Sequence, residues 1–321
     1  MSLLATGMSE SEFISDTSQT ELDSIAFLIN REDGTLNTSG EFLRWWYFQN
    51  PSQSFSFFHV RKNGSIEGVA TTNNFRFVIN EREVLVAMPQ KVLTSETMRG
   101  KGYFGRLYRL TESDNLSKKV DCFLTFTNTM STPIFLEKFG YRRGISPNIF
   151  VVPAIFSFFN RPSYLLANQF DANYLNRDDL IRQLNSLNKG PEYFKWRYFG
   201  YEGSQFVVLN LVGSYSQNEG YVVLKRKNVM RIPLYVVMDI ITHSQTNAIK
   251  LLQEALNYAI HNSALGIMLI ENNIFPNGPP FVFCMKRSNK LNFLVKGRTD
   301  ELTLALTKVR FNWFAGDLDF F

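Results

Sequence analysis

A basic, glycine-rich turn in the first third of the chain carries the residues best suited to binding a phosphorylated ligand. Residues 91–105 read KVLTSETMRGKGYFG and begin with the apolar and β-branched pattern of a strand end. Arg99, Gly100, Lys101 and Gly102 follow, and the two glycines permit tight turns that a side chain would obstruct. Apolar residues at helical spacing come next. Because a helix N-terminus directs N–H groups and a positive dipole outward, the segment predicts a pyrophosphate site at this turn.

Two nucleotide-binding motifs compete for this turn. The Walker motif requires Ser or Thr after its lysine, and Gly102 follows Lys101, so that motif is excluded. The dinucleotide motif fits the spacing of Gly100, Gly102 and Gly105, with an acidic partner expected about 20 residues further on, at a strand end. Asp121 has the distance but precedes its strand, so an NAD-type site ranks second. A structural glycine turn that binds nothing is the remaining alternative.

The turn and the block after it resemble the GNAT superfamily of N-acetyltransferases. The coenzyme A loop of that superfamily reads Arg/Gln-x-x-Gly-x-Gly/Ala after a strand, and Arg99 and Gly102 match it. The last position of the motif is Phe104 here, with Gly105 one place later. The next block of the superfamily also follows in order, as a strand, an Asn, a small residue and a helix that ends in Gly-aromatic: 120–127, Asn128, Ser131 and Gly140 with Tyr141.

The resemblance implies acetyl-CoA as the acyl donor and assigns roles to these residues. Cofactor binding is expected at Leu93, Thr94, Arg99, Gly100, Lys101, Gly102, Tyr103, Phe104, Gly105, Asn128 and Ser131. The backbone of residues 91–94 would hold the pantetheine arm across a splayed strand, while Asn128 and Ser131 would face the thioester. An acceptor amine would attack the thioester directly, with catalysis coming mainly from orientation of the reactants and polarisation of the carbonyl.

Candidates for acid and base chemistry lie beside the central strands. The predicted catalytic set is Asn128, Glu96 and Glu67, and the two carboxylates would serve as bases if the amine arrives protonated. Asp239 is a third candidate base. Phe135 occupies the position where many members of the superfamily carry a tyrosine acid. A phenyl ring cannot donate a proton, so another group or water protonates the thiolate, or the chain binds acyl-CoA without catalysing.

An internal repeat predicts two copies of one domain. Residues 41–48, EFLRWWYF, recur as EYFKWRYF at 192–199, and a strand and a helix follow in the same order in both halves. The second copy has 246–249, TNAI, in place of the basic turn, so we expect it to bind no pyrophosphate and to shape the acceptor site instead. The predicted substrate-binding residues are Trp45, Trp46, Asp239 and His243.

The predicted fold class is α/β (α+β), with two tandem GNAT-like domains, each a mixed, mostly antiparallel sheet flanked by helices. A flexible N-terminal segment is expected at 1–20, and the domain with the CoA-binding loop at 21–155, closed by a strand at 148–153. A connecting helical segment would span 156–187 and the second domain 188–321. Tandem GNAT proteins of surface-glycan synthesis are similar in their W-R-Y-like segments and in an Asp-x-Asp after a Trp, here Trp313, Asp317 and Asp319.

Composition restricts the class of function. The chain has 321 residues, 45% of them hydrophobic, which is typical of a folded protein with room for two domains. Its net charge of +5 suits a phosphate-rich ligand and does not argue for nucleic acid. Two cysteines and three histidines provide neither a disulfide framework nor metal-ligand spacing. With no signal pattern and no apolar run long enough for a bilayer, we expect a cytoplasmic protein without stable membrane insertion.

Three functions remain open at this stage. The favoured one is transfer of acetyl from acetyl-CoA to a small amine, such as an amino sugar or a nucleotide-linked amino sugar, by a monomer or homodimer. The second is aminoacyl transfer of the peptidoglycan-bridge type, whose donor is aminoacyl-tRNA and which generally lacks an intact CoA loop. The third is a non-catalytic acyl-CoA- or protein-binding module, which the phenylalanine at position 135 keeps open.

Overall fold

The fold consists of two β-sheets and the helices that cover them. The computed structural model describes residues 12–15, 17–34, 37–154, 164–177, 180, 184–203, 205–213, 217–229, 231–281, 284–287 and 292–318. Within these residues, the first sheet contains β1 Glu12–Ile14, β2 Phe55–Lys62, β3 Ser65–Ile79, β4 Arg82–Thr94, β5 Cys122–Thr127, β6 Arg142–Arg143, β9 Ser186–Leu187 and β15 Asn292–Gly297. The second contains β7 Ile149–Pro153, β8 Tyr164–Leu166, β10 Phe206–Val212, β11 Asn218–Val229, β12 Ile232–Thr242, β13 Gly266–Ile270 and β14 Met285–Arg287.

The helices follow the apolar spacing and the capping residues of the sequence. They are α1 Gln19–Glu32, α2 Gly40–Leu43, α3 Tyr103–Ser117, α4 Ser131–Lys138, α5 Ala172–Leu175, α6 Pro191–Phe199, α7 Gln245–His261 and α8 Asp300–Leu306. A π-helical turn, Arg44–Phe48, continues α2, and short 3₁₀ turns lie at Glu96–Met98 and Ala315–Asp317. Helix α1 begins with a capping box, because the Ser18 and Glu21 side chains each bond the other residue's backbone N–H.

Each sheet is antiparallel except for one central parallel pair. The first sheet runs β1-β2-β3-β4-β5-β15-β6, with β4 and β5 parallel, and β9 pairs β3 beside this path. The second runs β14-β7-β13-β12-β11-β10-β8, with β12 and β13 parallel. Asn63 and Gly64 form the turn between β2 and β3, and both have the positive φ that this dipeptide favours. β3 and β4 form a second hairpin, which turns at Asn80 and Glu81.

Along its main path, each sheet contains one strand from the other half of the chain. β15, from the C-terminal half, lies between β5 and β6 of the first sheet. β7, from the N-terminal half, lies between β13 and β14 of the second. The strand expected at 148–153 therefore completes the second sheet and not the first, so the expected boundary at 155 does not follow the sheets. β7 and β15 are both short apolar runs that would fit either sheet. Because each pairs with strands far away in the sequence, no local sequence pattern shows which sheet it joins.

Two other expected segments also differ from the observed structure. Within the segment expected to be flexible at 1–20, Glu12–Ile14 forms a strand paired with β2; residues 1–11 lie outside the described residues. The segment expected to be helical at 156–187 contains β8, which pairs β10, and β9, which pairs β3. Its described helix, α5, has a single turn. Residues 156–163, 178–179 and 181–183 of this segment lie outside the described residues.

A shared core joins the inner faces of the two sheets. It contains buried apolar side chains from α1, both aromatic segments, both sheets and the C-terminal segment. α3 and α4 cover the outer face of the first sheet, and α7 covers that of the second. Among the described residues, no helix combines the length and the apolar character needed to cross a membrane.

The two aromatic segments meet at the centre of this core. Trp45 Nε1 donates to Trp196 O at 3.1 Å, and Trp196 Nε1 donates to Trp45 O at 3.2 Å. The two indole rings stack with centroids 5.1 Å apart. Such reciprocal contacts are typical of surfaces related by a two-fold axis. Trp45 and Trp46 are 2% and 1% exposed, and Trp46 Nε1 donates to Gln90, so neither is placed to contact a substrate as expected.

Candidate functional site

The basic turn has the backbone that its glycines predict. Gly100 and Gly102 have φ values of 74° and 81°, in the left-handed region that other residues rarely adopt. A Cβ built on either glycine would meet nothing within 4 Å, so the turn borders open space. Ser95 N donates to Glu67 O at 2.8 Å and ties the start of the loop to β3. The turn is therefore exposed and held in a defined conformation.

The turn leads directly into the N-terminus of α3. Gly102 caps the helix without a side chain, and the first bond of the helix runs from Arg106 N to Gly102 O at 3.1 Å. The N–H groups of Phe104 and Gly105 precede this bond and lie in the first turn, where the helix dipole favours an anion. Lys101 beside them is exposed. The residues present thus fit a diphosphate: cationic side chains, an open approach and a helix N-terminus.

Tyr103 and Phe104 hold this helix end in place. The Tyr103 ring stacks on Phe13 of β1 with centroids 6.3 Å apart. The Phe104 ring lies 6.2 Å from those of Phe135 and Phe139. Both predicted binding residues are half-buried and anchor α3 by their rings, so their contribution to a ligand site would be through the backbone.

The central parallel strands of the first sheet separate as they approach the turn. β4 and β5 pair only at Val86 with Cys122 and at Ala87 with Phe123 in the described ladder. Further along, the Thr125 hydroxyl donates to Pro89 O at 3.0 Å. The pairing of β3 with β4 shifts register between Val69 and Thr71, and such a bulge bends a strand.

This separation leaves the predicted pantetheine segment beside the gap where β4 and β5 are no longer paired. Leu93 and Thr94 pair with β3 on one side, opposite Val69 and Gly68. On the other side, the described β4–β5 ladder ends well before them. Their backbone groups on that side face the gap between β4 and β5. The geometry agrees with the expected splay.

Asn128 directly follows the carboxyl end of β5, the parallel neighbour of β4, and Ser131 begins α4. Asn128 Oδ1 accepts from Met130 N at 3.1 Å, from Ser131 N at 2.8 Å and from Ser131 Oγ at 2.9 Å. The Asn128 carbonyl side therefore starts α4 as an Asx turn. A ligand oxygen could accept a hydrogen bond from Asn128 Nδ2.

The two predicted carboxylate bases lie next to the turn. Glu67 is half-buried, and its Oε2 accepts from Thr97 Oγ1 at 3.2 Å. Glu96 is exposed and opens the 3₁₀ turn between β4 and Arg99. The structure thus brings Glu67, Glu96, Arg99 and the glycines into one region. A hydrogen bond holds Glu67 in place, whereas Glu96 projects from a solvent-exposed turn.

Phe135 belongs to an aromatic core and not to the cleft. It is 2% exposed and lies against Tyr108, Phe139 and Tyr141, with ring centroids 4.9 to 5.5 Å away. The hydroxyls of Tyr108 and Tyr141 bond each other. Burial raises the pKa of both tyrosines well above its ordinary value. These phenols therefore satisfy each other inside the protein and do not replace the missing tyrosine acid.

The second copy places Asp239 in a buried ion cluster. Asp239 is 1% exposed, and its Oδ2 accepts from Lys189 Nζ at 2.7 Å and from Tyr198 OH at 2.9 Å. Lys189 also lies 2.6 Å from Asp317 Oδ1. Burial raises the pKa of Asp239 to about 6, against the attraction of Lys189. The predicted roles of Asp239 as a base or a substrate contact are therefore not supported. His243 is half-buried, with Nδ1 3.5 Å from the Tyr174 hydroxyl.

The chain's own C-terminal segment packs against β12 in the second copy. β12 and β13 pair only at Tyr235 and Val236 in the described ladder, and residues 314–318 pack beside the diverging part of β12. Arg197 Nε donates to Gly316 O at 2.7 Å. A Cβ on Gly316 would lie 2.7 Å from Met238 O, so only glycine allows this approach. The C-terminal segment therefore covers this part of β12, and the expectation that the cleft of the second copy shapes the acceptor site stays a prediction.

The second copy also lacks an open helix N-terminus. α7 begins after Ser244, whose hydroxyl accepts from Asn247 N at 3.1 Å. This side-chain cap occupies the position where an anion would bind in the first copy. The phosphate-binding features are therefore concentrated in the N-terminal half.

The described chain also has concavities elsewhere. Two concavities lie away from the turn, one lined by Glu271, Asn272 and Arg310, and a wider one lined by Asp114 and Lys118 near the C-terminus of α3. No group of three His, Cys, Asp or Glu side chains suitable for a metal ion occurs in the described ranges.

Many solved structures share this architecture, among them the following three. A conserved protein of unknown function and probable N-acyltransferase from Enterococcus faecalis V583 has a TM-score of 0.64 and 10% identity, covering 90% of this chain and 73% of that one. A GCN5-related N-acetyltransferase from Anabaena variabilis ATCC 29413 gives 0.63 and 13%, covering 89% and 72%. Saccharomyces cerevisiae N-myristoyltransferase with bound myristoyl-CoA gives 0.63 and 10%, covering 92% and 80%. The sequence matches no family model and no curated protein.

At these identities the likeness concerns the fold. The chain has the mixed α/β fold of these structures, with two sheets flanked by helices. The predicted fold class, α/β (α+β) with mostly antiparallel sheets flanked by helices, is confirmed.

Sequence reasoning missed four features: the strand exchange, the C-terminal segment against β12, Glu32 beside Arg99, and Lys189 as the partner of Asp239. Of these, only Lys189 has a local feature in the sequence, since it directly precedes Gly190 and Pro191 at the start of α6.

Proposed function

We propose that this protein is an acyl-CoA-dependent N-acyltransferase that transfers acetyl from acetyl-CoA to a small amine, such as an amino sugar or a nucleotide-linked amino sugar. One observation carries the proposal: separated parallel strands in the N-terminal half lead to an exposed basic turn with two positive-φ glycines at a helix N-terminus. A probable N-acyltransferase, a GCN5-related N-acetyltransferase and an N-myristoyltransferase crystallised with myristoyl-CoA have the same fold, which supports this choice.

The first task of the site is to bind and orient the donor. Arg99, Lys101 and the N–H groups of the first turn of α3 would hold the pyrophosphate. Backbone groups at Leu93 and Thr94 would pair with the pantetheine amides, because β4 lacks its β5 partner there. Such pairing holds the ligand along β4 by backbone hydrogen bonds, in the way that a neighbouring strand would be held.

The second task is the transfer itself. Acetyl-CoA supplies an activated thioester, from which the amine takes the acetyl group while the thiolate leaves. Asn128 Nδ2 would donate to the carbonyl oxygen as negative charge develops there. Glu67 is the favoured base for a protonated amine, because a hydrogen bond to Thr97 orients it. With Phe135 buried in the aromatic core, water would protonate the thiolate.

Binding and turnover test this function separately. The full chain is titrated calorimetrically with CoA, acetyl-CoA, myristoyl-CoA and NAD, and released thiol is then followed with amino sugars and their nucleotide-linked forms as acceptors. We expect the CoA compounds to bind and NAD not to bind. Arg99→Ala should weaken CoA binding by about ten- to a hundredfold, the worth of a charge-assisted contact, without changing the circular dichroism spectrum. Unchanged affinity in Arg99→Ala would refute the assignment of the turn.

One observation favours a second function, a non-catalytic acyl-CoA-binding module. The phenol pair of Tyr108 and Tyr141 is buried, and Phe135, which packs against both rings, has no proton to give. Tight CoA binding without release of thiol with any amine would select this function. An aminoacyl transferase would not bind CoA at all. The same titration therefore distinguishes the acyl-CoA-binding module, which binds CoA, from the aminoacyl transferase, which does not.

A further inference from the structure

An ion pair ties the basic turn to the end of the first helix. Arg99 Nη2 lies 2.6 Å from Oε2 of Glu32, the last residue of α1. The neighbouring Arg31 places its Nε 3.1 Å from the other oxygen of the same carboxylate. The Glu32 side chain is 10% exposed, whereas that of Arg99 is 55% exposed. The carboxylate thus lies between two guanidinium groups, both of which extend into solvent, since the Arg31 side chain is 48% exposed.

We propose that Glu32 is a positioning residue that competes with the pyrophosphate of the donor for Arg99. This inference rests on the proposed function. Both anions are complementary to a guanidinium, and a pyrophosphate carries more charge and more acceptor oxygens than a carboxylate. Glu32 therefore holds Arg99 beside the turn before the donor arrives and takes it back when CoA leaves.

Arg31 lowers the free-energy cost of moving Arg99 from Glu32 to the pyrophosphate. An enclosed carboxylate that loses its only partner is strongly destabilising. When Arg99 turns to a phosphate, Glu32 keeps Arg31 and so is not left alone. Arg31 consequently sets how firmly Glu32 holds Arg99: without Arg31, the carboxylate would depend on Arg99 entirely.

This arrangement predicts effects of opposite sign for two neighbouring substitutions. Glu32→Gln removes the competing charge and should tighten CoA binding about two- to fivefold, the worth of an exposed ion pair expressed as an affinity ratio. Arg31→Gln leaves Glu32 with Arg99 alone and should weaken CoA binding by a similar factor. If the three residues only support the local structure, both substitutions should weaken binding.

The experiment is calorimetric titration of the full chain with CoA. It compares the wild type, Glu32→Gln, Arg31→Gln, Arg99→Ala and the double variant Arg99→Ala with Glu32→Gln. The double variant should bind as Arg99→Ala does, because Glu32 acts through Arg99. Glu83→Gln is the matched control, since it removes the exposed pair with Arg76 on the β3–β4 hairpin and should leave the affinity unchanged. Thermal unfolding of each variant verifies that it is folded.

The outcomes separate this inference from the proposed function. If the wild type does not bind CoA, the proposed function fails and this inference fails with it. If the wild type binds CoA but Glu32→Gln leaves the affinity unchanged or weaker, only the competition is overturned. Tighter binding by Arg31→Gln, or a gain from Glu32→Gln in the absence of Arg99, would overturn it as well.

Discussion

Asp239 offers a test of how burial acts on charge in this protein. It shares Lys189 with Asp317, so two carboxylates and one ammonium are enclosed together. Lys189→Met should lower the free energy of unfolding by about 3–5 kcal/mol at neutral pH, because it leaves both carboxylates buried without their cation. The substitution Asp239→Asn keeps an oxygen that can accept from Lys189 but removes the carboxyl group that titrates. Any effect of Asp239→Asn on packing is the same at every pH, so the pH dependence of its stability reports the charge of Asp239 alone.

The magnitude follows from the pKa of Asp239. Burial raises this pKa from 3.8 to about 6. The folded state thus binds the proton more tightly than the unfolded chain, and the contribution to stability is complete below pH about 4 and is lost as the pH rises to about 6. Each pKa unit corresponds to about 1.4 kcal/mol, so the loss amounts to about 3 kcal/mol. Asp239→Asn should not show this loss.

Urea unfolding followed by tryptophan fluorescence measures the effect across this range. The difference between wild type and Asp239→Asn should change by about 3 kcal/mol between pH about 4 and about 7. Asp114→Asn, which removes a carboxylate paired with Lys118 at the surface, is the control and should show a much smaller change. Parallel curves for the wild type and Asp239→Asn would refute the reasoning, because burial would then not perturb this carboxyl group.

Two further predictions concern the aromatic clusters. Trp45→Phe keeps a ring stacked against Trp196 but leaves Trp196 O without its indole donor, so the free energy of unfolding should fall by about 1–3 kcal/mol in urea unfolding; a change near zero would show that the reciprocal bonds contribute little. Phe135→Tyr brings a hydroxyl into the core beside Tyr108 and Tyr141, and should destabilise by about 1–3 kcal/mol without raising the rate of thiol release. A rise of about tenfold or more in that rate would place position 135 at the thiolate instead.

The local features of the site could be read from the sequence. Gly100 and Gly102 have the backbone that glycine permits, and α3 begins where the apolar spacing changes period. Asn128 directly follows a strand and starts a helix, as its side chain favours. Each of these depends on residues only a few positions apart, so that propensity and spacing determine the result.

Features set by distant contacts could not be read in this way. β7 and β15 are apolar runs of similar length, and nothing in either specifies its sheet. An aromatic segment has the same pattern whether its rings stack on a ligand or on a second copy of the segment, which is why Trp45 and Trp46 were assigned to substrate. Asp239 looked like a candidate base because Lys189, its partner, is 50 positions away in an irregular segment.

The exchanged strands determine the order in which the molecule can be completed during synthesis. The first sheet cannot close until the ribosome has released residues 292–297, because β5 keeps an exposed hydrogen-bonding edge until β15 arrives. A nascent chain, or a gene fragment ending between the two repeats, would present that edge to other chains and invite aggregation. Shortened versions intended to isolate the CoA-loop half should therefore retain or graft β15.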